Sequence, residues 1–286
     1  MNPGRLRDGK VVALLLVVAL AVVLLLNQFA PTRSAFTAKV TNGSNSAGTA
    51  ASNTCTGAVG FDATASNALF AYKLTEPSGS TTAADFSGRG ANGTYQGGMV
   101  ASTPSPIACP RDAGSAWLLD GASDFVSTPA AQRNPVTFSE EVWFRTSVAG
   151  GLLIGFGGSQ VTVSGQHDRQ IYLNTNGQLV FGAYNGATQV VTSPKSYNDG
   201  VWHHVVSTMS ATTGMRLYVD GALVASNANY TTPENYTGYW RIGYDTISGW
   251  PGAPANPYFT GSMRFAAVYN SVLTAAQVSS HYAAGR

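Results

Sequence analysis

Charge is scarce in this chain. Asp, Glu, Lys and Arg make up 10% of its 286 residues, against about 25% in an average globular protein. The 16 basic and 14 acidic residues nearly cancel, at a formal +2. No Lys- or Arg-rich stripe occurs, so nucleic-acid binding lacks its electrostatic footprint, and an acidic ligand is not specifically favoured. Cysteine is nearly absent as well. Cys55 and Cys109 are the only two, without Cys-x-x-Cys spacing, which excludes the thiolate zinc and dithiol redox motifs. No Gly-x-Ser-x-Gly stretch is present, so His167-Asp168-Arg169 has no nucleophile elbow to serve and reads as a loop salt bridge. The acidic residues stand singly except for Glu140-Glu141. Neighbours on a strand point to opposite faces, so these two carboxylates cannot flank one glycosidic bond. The expectation is a protein without catalytic residues.

What fills the space is Gly (32 residues) together with Ser, Thr and Asn, and the bulk comes from 13 Tyr, 12 Phe and 5 Trp. That mixture suits many short strands joined by polar turns, not a helical bundle. One long apolar run exists: 16 residues from Val11 to Leu26, preceded by Arg5, Arg7 and Lys10. A positive stretch before an apolar core is an export signal. Sixteen helical residues span about 24 Å, short of the roughly 30 Å hydrocarbon core, which continuation to Ala30 would just bridge. Residues 1–30 are therefore a cleaved signal peptide or a retained membrane anchor. Either places the rest outside the cytoplasm, secreted or at the cell surface, with the membrane touched only through this segment. Residues 31–53 are polar and small, too poor in apolar surface to offset their ordering entropy, and read as a flexible spacer. In an exported chain, Cys55 and Cys109 are expected to form a disulfide.

The globular part, residues 54–286, is organised around Asn198–Ser226, NDGVWHHVVSTMSATTGMRLYVDGALVAS. Trp202, His204, Val206 and Thr208 alternate with His203, Val205, Ser207 and Met209. Met215, Leu217 and Val219 alternate with Arg216 and Tyr218. Period-2 alternation bounded by Gly and Asp predicts antiparallel strands with one buried side. Asp220-Gly221 and Asn176-Gly177 suit tight hairpin turns. His203 and His204 face opposite sides, so they cannot share one metal ion and are expected to pack structurally. Near the end, Thr274 and Gln277 form a capping box that starts a short helix.

DGVWHHVV followed by GMRLYVDG resembles the central hairpins of bacterial laminin-G-like domains of the concanavalin A-like group. The opening (Tyr72, Leu74, Glu76, Ser78, Gly79, then Asp85, Ser87, Gly88, Gly90, Gly93) and the closing VYNSVLTAAQVSSHYAA are similar to the same family, over roughly residues 68–283. The resemblance implies an all-β fold: a two-sheet antiparallel jelly-roll sandwich with a short C-terminal helix, added to the N-terminal hydrophobic helix. It also implies a structural Ca²⁺ as the one cofactor to consider, with Asp85 and Asn92 as side-chain ligands. Arg264 stands where the family's Asp is expected, however. A cation there would repel Ca²⁺ and could pair with Asp85, so a metal-free turn is the favoured reading. The acidic E-x-D-x-x-E strand of related glucanases is missing.

Trp250 lies in the Pro-rich loop Asp245–Pro257, where it either presents a flat apolar face to a sugar ring or peptide or caps the sandwich edge. Tyr236 and Tyr258 are its weaker companions. The expected function is an exported, non-catalytic binding module whose partner is an extracellular glycan. The alternative is a structural or adhesive surface protein that contacts other proteins.

Overall fold

The computed structural model describes residues 11–22 and 53–286. The chain divides into two units, Met1–Ala47 and Gly48–Arg286. In the first, residues 11–22 form helix α1, with exposed side chains. Among the described residues no helix is long and apolar enough to cross a membrane. The remainder of the 1–30 export segment, and the 31–53 spacer except its last residue, lie outside the described residues.

The second unit contains two antiparallel sheets. The first runs β15 (Ala222–Asn227), β14 (Gly214–Val219), β13 (Trp202–Ser210), β8 (Phe138–Arg145), β17 (Thr260–Tyr269), β5 (Ala116–Asp120), β4 (Val100–Ser102), with β1 (Ala68–Tyr72) also pairing β17. The second runs β12 (Thr188–Ser196), β11 (Gln178–Tyr184), β10 (His167–Leu173), β9 (Leu152–Gly157), β16 (Thr237–Ile242), β6 (Phe125–Ser127), β3 (Gly93–Gln96), β2 (Thr82–Ala83), with β7 (Gln132–Arg133) on β16. Consecutive strands β13 and β14 meet in register at Val205↔Val219 and Met209↔Met215. Their successor turns back at Asp220 (φ 52°) and Gly221 (φ 80°), the paired positive φ values that a tight hairpin requires.

Between the sheets lie Phe138, Val142, Phe144, Ile154, Phe156, Ile171, Phe181, Val205, Leu217, Trp240 and Met263, all but inaccessible. At roughly 25 cal/mol per Å² of apolar area, this layer is the main stabilising term of the fold. The expectation of a single buried side fails for the first sheet. Val206, Tyr218, Ala267 and Tyr269 point away from this core and are buried too, because α2 (Cys55–Ala65) and α3 (Ala275–Ala284) cover that outer face. Helix α3 begins at the capping box: Thr274 accepts from Gln277 N–H, and the Gln277 side chain returns to Thr274 N–H.

Helix α2 escapes the sequence reading. Its buried positions are Cys55, Ala58, Val59, Asp62 and Ala63, spaced like one helical stripe. Apart from Val59 they are small or charged, however, so the stripe has almost no hydrophobic contrast. Thr54 caps it by accepting from Gly57 N–H at 3.1 Å, and the Asp112 carboxylate accepts from Cys55 N–H at 2.7 Å. An anion at a helix N-terminus is favourable. Cys55 and Cys109 form the expected disulfide. Closing a loop of 54 residues stabilises by about 4 kcal/mol in the chain-entropy account. Arg264 does not pair with Asp85. Its buried guanidinium instead donates to the carbonyls of Ala108, Cys109, Asp112 and Ala113, tying β17 to the disulfide loop.

A candidate glycan cleft beside the 245–257 loop

The loop Asp245–Pro257 leaves β16 and folds over the outer face of the second sheet. Asp245, 1% exposed, anchors its start: the carboxylate accepts from Thr246 N–H and Ser164 Oγ and lies 3.3 Å from the Arg241 guanidinium. Burial raises the Asp245 pKa, and the Arg241 charge opposes that shift. Further along, Tyr172 Oη donates to Pro251 O at 2.6 Å, Thr175 N–H to Gly252 O at 2.9 Å, and Leu152 N–H to Pro257 O at 2.8 Å. Three of the loop's carbonyls are thus tied to β9, β10 and the turn after β10.

Two apolar side chains, Ile247 and Trp250, fasten the loop to the sheet. They pack with Leu152, Tyr172 and Val180, and partly with Tyr184 and Val190. Trp250 is only 7% exposed, and its indole fills a slot above Gly182, where any Cβ would collide with the ring. So buried, the indole offers little of the flat face expected for sugar stacking. The residue caps the sheet and forms the wall between two hollows.

The first hollow, about 340 Å³, is lined by Gln166, His167, Tyr184, Thr188, Glu234, Ser248 and Trp250, with Gly165 and Gly249. A turn, three strand ends and two loops thus converge on one small polar cleft, with one carboxylate, one imidazole, a phenol, hydroxyls and an amide against the Trp250 ring. Gln166 Nε2 donates to Glu234 Oε1 at 3.2 Å, and His167 Nε2 lies 3.4 Å from Ser248 O. Beneath the cleft, Arg169 (φ 50° at a bulge of β10) is wholly buried. It donates to Asp168, Pro135 O, Asn134 Oδ1 and Glu234 O. Asp168 in turn accepts from Tyr236 Oη at 3.0 Å and from Tyr184 N–H. Burial lifts the Asp168 pKa to about 6 despite the Arg169 charge. The floor is therefore preorganised, and the expected salt bridge of Asp168 with Arg169 supports the cleft from below.

The other candidates lie elsewhere. Tyr236 is 8% exposed, within the interior core, and its hydroxyl is committed to Phe156 O and Asp168. It is removed from the candidate ligand contacts. Tyr258 stacks on Tyr244 at 3.8 Å between ring centres and does not line this cleft. Asp85 does not fit a calcium ion. Its two oxygens already accept from Ala71 N–H, Ser87 N–H, Ser87 Oγ and Ala91 N–H, which fills the lone pairs a metal would need. Asn92 Oδ1 accepts from Asp85 N–H. Together these bonds close the turn around the carboxylate.

Glu140 and Glu141 point to opposite faces, as strand geometry requires. Glu140 enters the sandwich core opposite Ser207, and burial first, then the Asp168 charge, drive its pKa well up. Glu141 lies under the helices and joins residues that sequence reasoning did not connect. Its Oε2 faces His204 Nε2 at 3.2 Å and His281 Nδ1 at 2.8 Å, and its Oε1 accepts from Tyr269 Oη. The other nitrogen of His281 meets Asp62 Oδ2 at 2.9 Å. With a carboxylate on each nitrogen, His281 is an imidazolium that donates twice. Burial alone would lower its pKa; the Glu141 charge and the bonds to Asp62 carry it to about 10. Burial would raise Glu141, but the His281 charge holds it far below the usual carboxylate range. All five groups are almost fully buried, so this constellation binds helices to sheet and is closed to a substrate. His203 and His204 likewise separate, His203 toward Asp199 and Asp220 and His204 toward Glu141.

A sequence model of the concanavalin A-like lectin/glucanases superfamily matches residues 120–279, more than half of the chain. No curated protein matches the sequence. Among solved structures, the binding domain of Paraclostridial Mosquitocidal Protein 1 is similar at TM-score 0.54 and 13% identity, over 75% of this chain and 51% of that one. The binding domain of Botulinum Neurotoxin DC in complex with SialylT gives 0.51 and 15%, over 75% and 50%. Trypanosoma rangeli sialidase in complex with sialic acid gives 0.51 and 14%, over 75% and 32%. This chain thus spans about half the length of the two toxin chains and a third of the sialidase. At such identities the likeness is one of fold. With the jelly-roll layers, the β13–β14 hairpin and the capped C-terminal helix in place, the chain belongs to the concanavalin A-like lectin/glucanases superfamily.

Proposed function

We propose that this protein is an exported, non-catalytic carbohydrate-binding module whose ligand enters the cleft between Tyr184, Glu234 and Trp250. The observation that carries the proposal is the cleft itself: several polar side chains, held by a buried scaffold, converge beside Trp250 in a space the size of one or two sugar rings. That composition matches the pattern of small-ligand sites, with a few placed polar groups and an apolar wall. Superfamily membership and similarity to a toxin binding domain in complex with SialylT support the class of ligand, as fold analogies. Against catalysis stands the lining: Glu234 is its single carboxylate, whereas glycoside hydrolysis ordinarily needs two. Export rests on the basic residues before the Val11–Leu26 run.

A glycan array probed with the intact protein, with and without chelator, tests this reading. The expected result is glycan binding that survives chelation, because the Asp85 oxygens are occupied by protein donors, and that Tyr184→Ala abolishes. Polysaccharide hydrolysis would overturn the non-catalytic half. A second reading, protein-protein contact, has one observation in its favour: an apolar hollow of about 510 Å³ among Pro106, Ile107, Trp143, Trp202 and Tyr282. Self-association lost on Trp202→Ser, without glycan binding, would favour it.

A further inference from the structure

Charge in the cleft is one-sided. Of the residues that line it, Glu234 bears the sole carboxylate, and no Lys or Arg is among them. The nearest guanidinium, Arg169, is 0% exposed and spends its donors on Asp168, Pro135 O, Asn134 and Glu234 O, so it cannot reach a ligand. Arg241 is equally buried and serves Gln160 O, Thr162 O and Asp245. His167, the remaining basic group, is turned to the Ser248 carbonyl. A sugar carboxylate such as that of sialic acid would need a cation to compensate its desolvation. Here it would meet Glu234 instead, and like charges brought together at a site are repelled.

The reverse holds for a cationic ligand. Glu234 is half-buried, and its Oε1 is steadied by Gln166. A hydrogen bond from an ammonium to such a carboxylate is about twice as strong as a neutral one. The hydroxyls of Thr188 and Ser248 and the Tyr184 ring complete a lining suited to a sugar that carries one amine. We infer that the cleft selects glycans bearing a free amino group, that is, N-deacetylated amino sugars, over their N-acetylated forms and over sialylated glycans. This rests on the carbohydrate-binding reading above and narrows it to one ligand class, distinct from the sialylated ligands of the structurally similar proteins.

Titration calorimetry on the full chain at pH 6 with glucosamine tetramer, N-acetylglucosamine tetramer and sialyllactose tests it. The expected order is the amine first by about tenfold, the acetylated tetramer second, and sialyllactose last. Glu234→Gln, which keeps the oxygen that accepts from Gln166, should bring the two tetramers to the same affinity. Thr188→Lys, which places a cation on the rim, should weaken the amine ligand and strengthen sialyllactose. Equal affinity for both tetramers in the unaltered protein, or a preference untouched by Glu234→Gln, would overturn the inference while the glycan reading stands. Absence of binding to all three ligands and to every glycan on the array would remove both.

Discussion

The two outer faces of the sandwich are closed in opposite ways. The first sheet is sealed by two helices over a charged knot: Glu141 from β8, His204 from β13, Tyr269 from β17, Asp62 from α2 and His281 from α3. The second carries the 245–257 loop, held by Ile247 and the Trp250 indole over Gly182, by the Asp245–Arg241 pair and by a few backbone bonds. Where buried ions must all be satisfied at once, nothing can be left open, because an unpaired buried charge costs several kcal/mol. Where an apolar plug does the fastening, the surrounding surface can stay hollow and polar. The charged knot under the helices is closed and structural, whereas the polar hollow beside Trp250 stays open.

Breaking the charged knot should have the largest effect. His281→Ala leaves Glu141 and Asp62 buried without their cation, so a loss of about 3–5 kcal/mol is expected, roughly a 10 °C fall in Tm. The pH dependence sharpens this. His281 is raised from 6.5 to about 10, so its contribution is complete below pH 6.5 and fades as pH climbs toward 10. Glu141 is depressed below 4.5, so its share is complete above pH 4.5 and is lost as acid protonates it. The Tm gap between the natural chain and His281→Ala, measured by thermal scans from pH 4 to 10, should therefore be widest near pH 5–6. A gap that grows toward pH 10 would contradict the assignment.

On the opposite face, Trp250→Ala should cost less, about 2–3 kcal/mol, at or below the low end for a buried aromatic because the loop can settle. Hydrogen exchange should quicken in residues 245–257 and around the cleft, and leave α2 and α3 protected. Gly182→Ala, with the indole slot blocked, should produce the same local loosening at about 1–3 kcal/mol. Smallest is Glu140→Gln. Glu140 is buried opposite Ser207, with its pKa pushed up, so the unfolded chain ionises more readily and folding loses stability as pH rises. Removing that group should raise Tm by about 2 °C or more, with the gain growing from pH 5 to pH 8.

Much of the fold is legible in the sequence because its signals are local. Alternation in β13 and β14, the Asp220-Gly221 and Asn176-Gly177 turns, and the Thr274–Gln277 capping box each lie within a few neighbouring residues. What was missed is non-local or lacks contrast. The partners of His281 are 140 and 219 residues away, and no spacing rule announces them. Helix α2 presents Ala58, Asp62 and Ala63 to the sheet, a stripe too small and too polar to register as amphipathic. Trp250 was found by its Gly-Pro setting, but its burial depends on Gly182, 68 residues earlier (250 − 182). The cleft likewise joins Gln166, the hairpin pair Tyr184 and Thr188, and Glu234 from three separate segments. The nearest thing to a sequence signal was Asp168-Arg169 beside His167, which does lie beneath and beside the cleft.

The unequal roles of the two faces can be measured directly by NMR, titrating the protein with a bound oligosaccharide and following amide shifts. The account expects the largest changes at Gln166, His167, Tyr184, Thr188, Glu234 and Trp250, with α2 and α3 unmoved. Shifts centred on the helices or on the Trp202 hollow, with residues 245–257 silent, would contradict it.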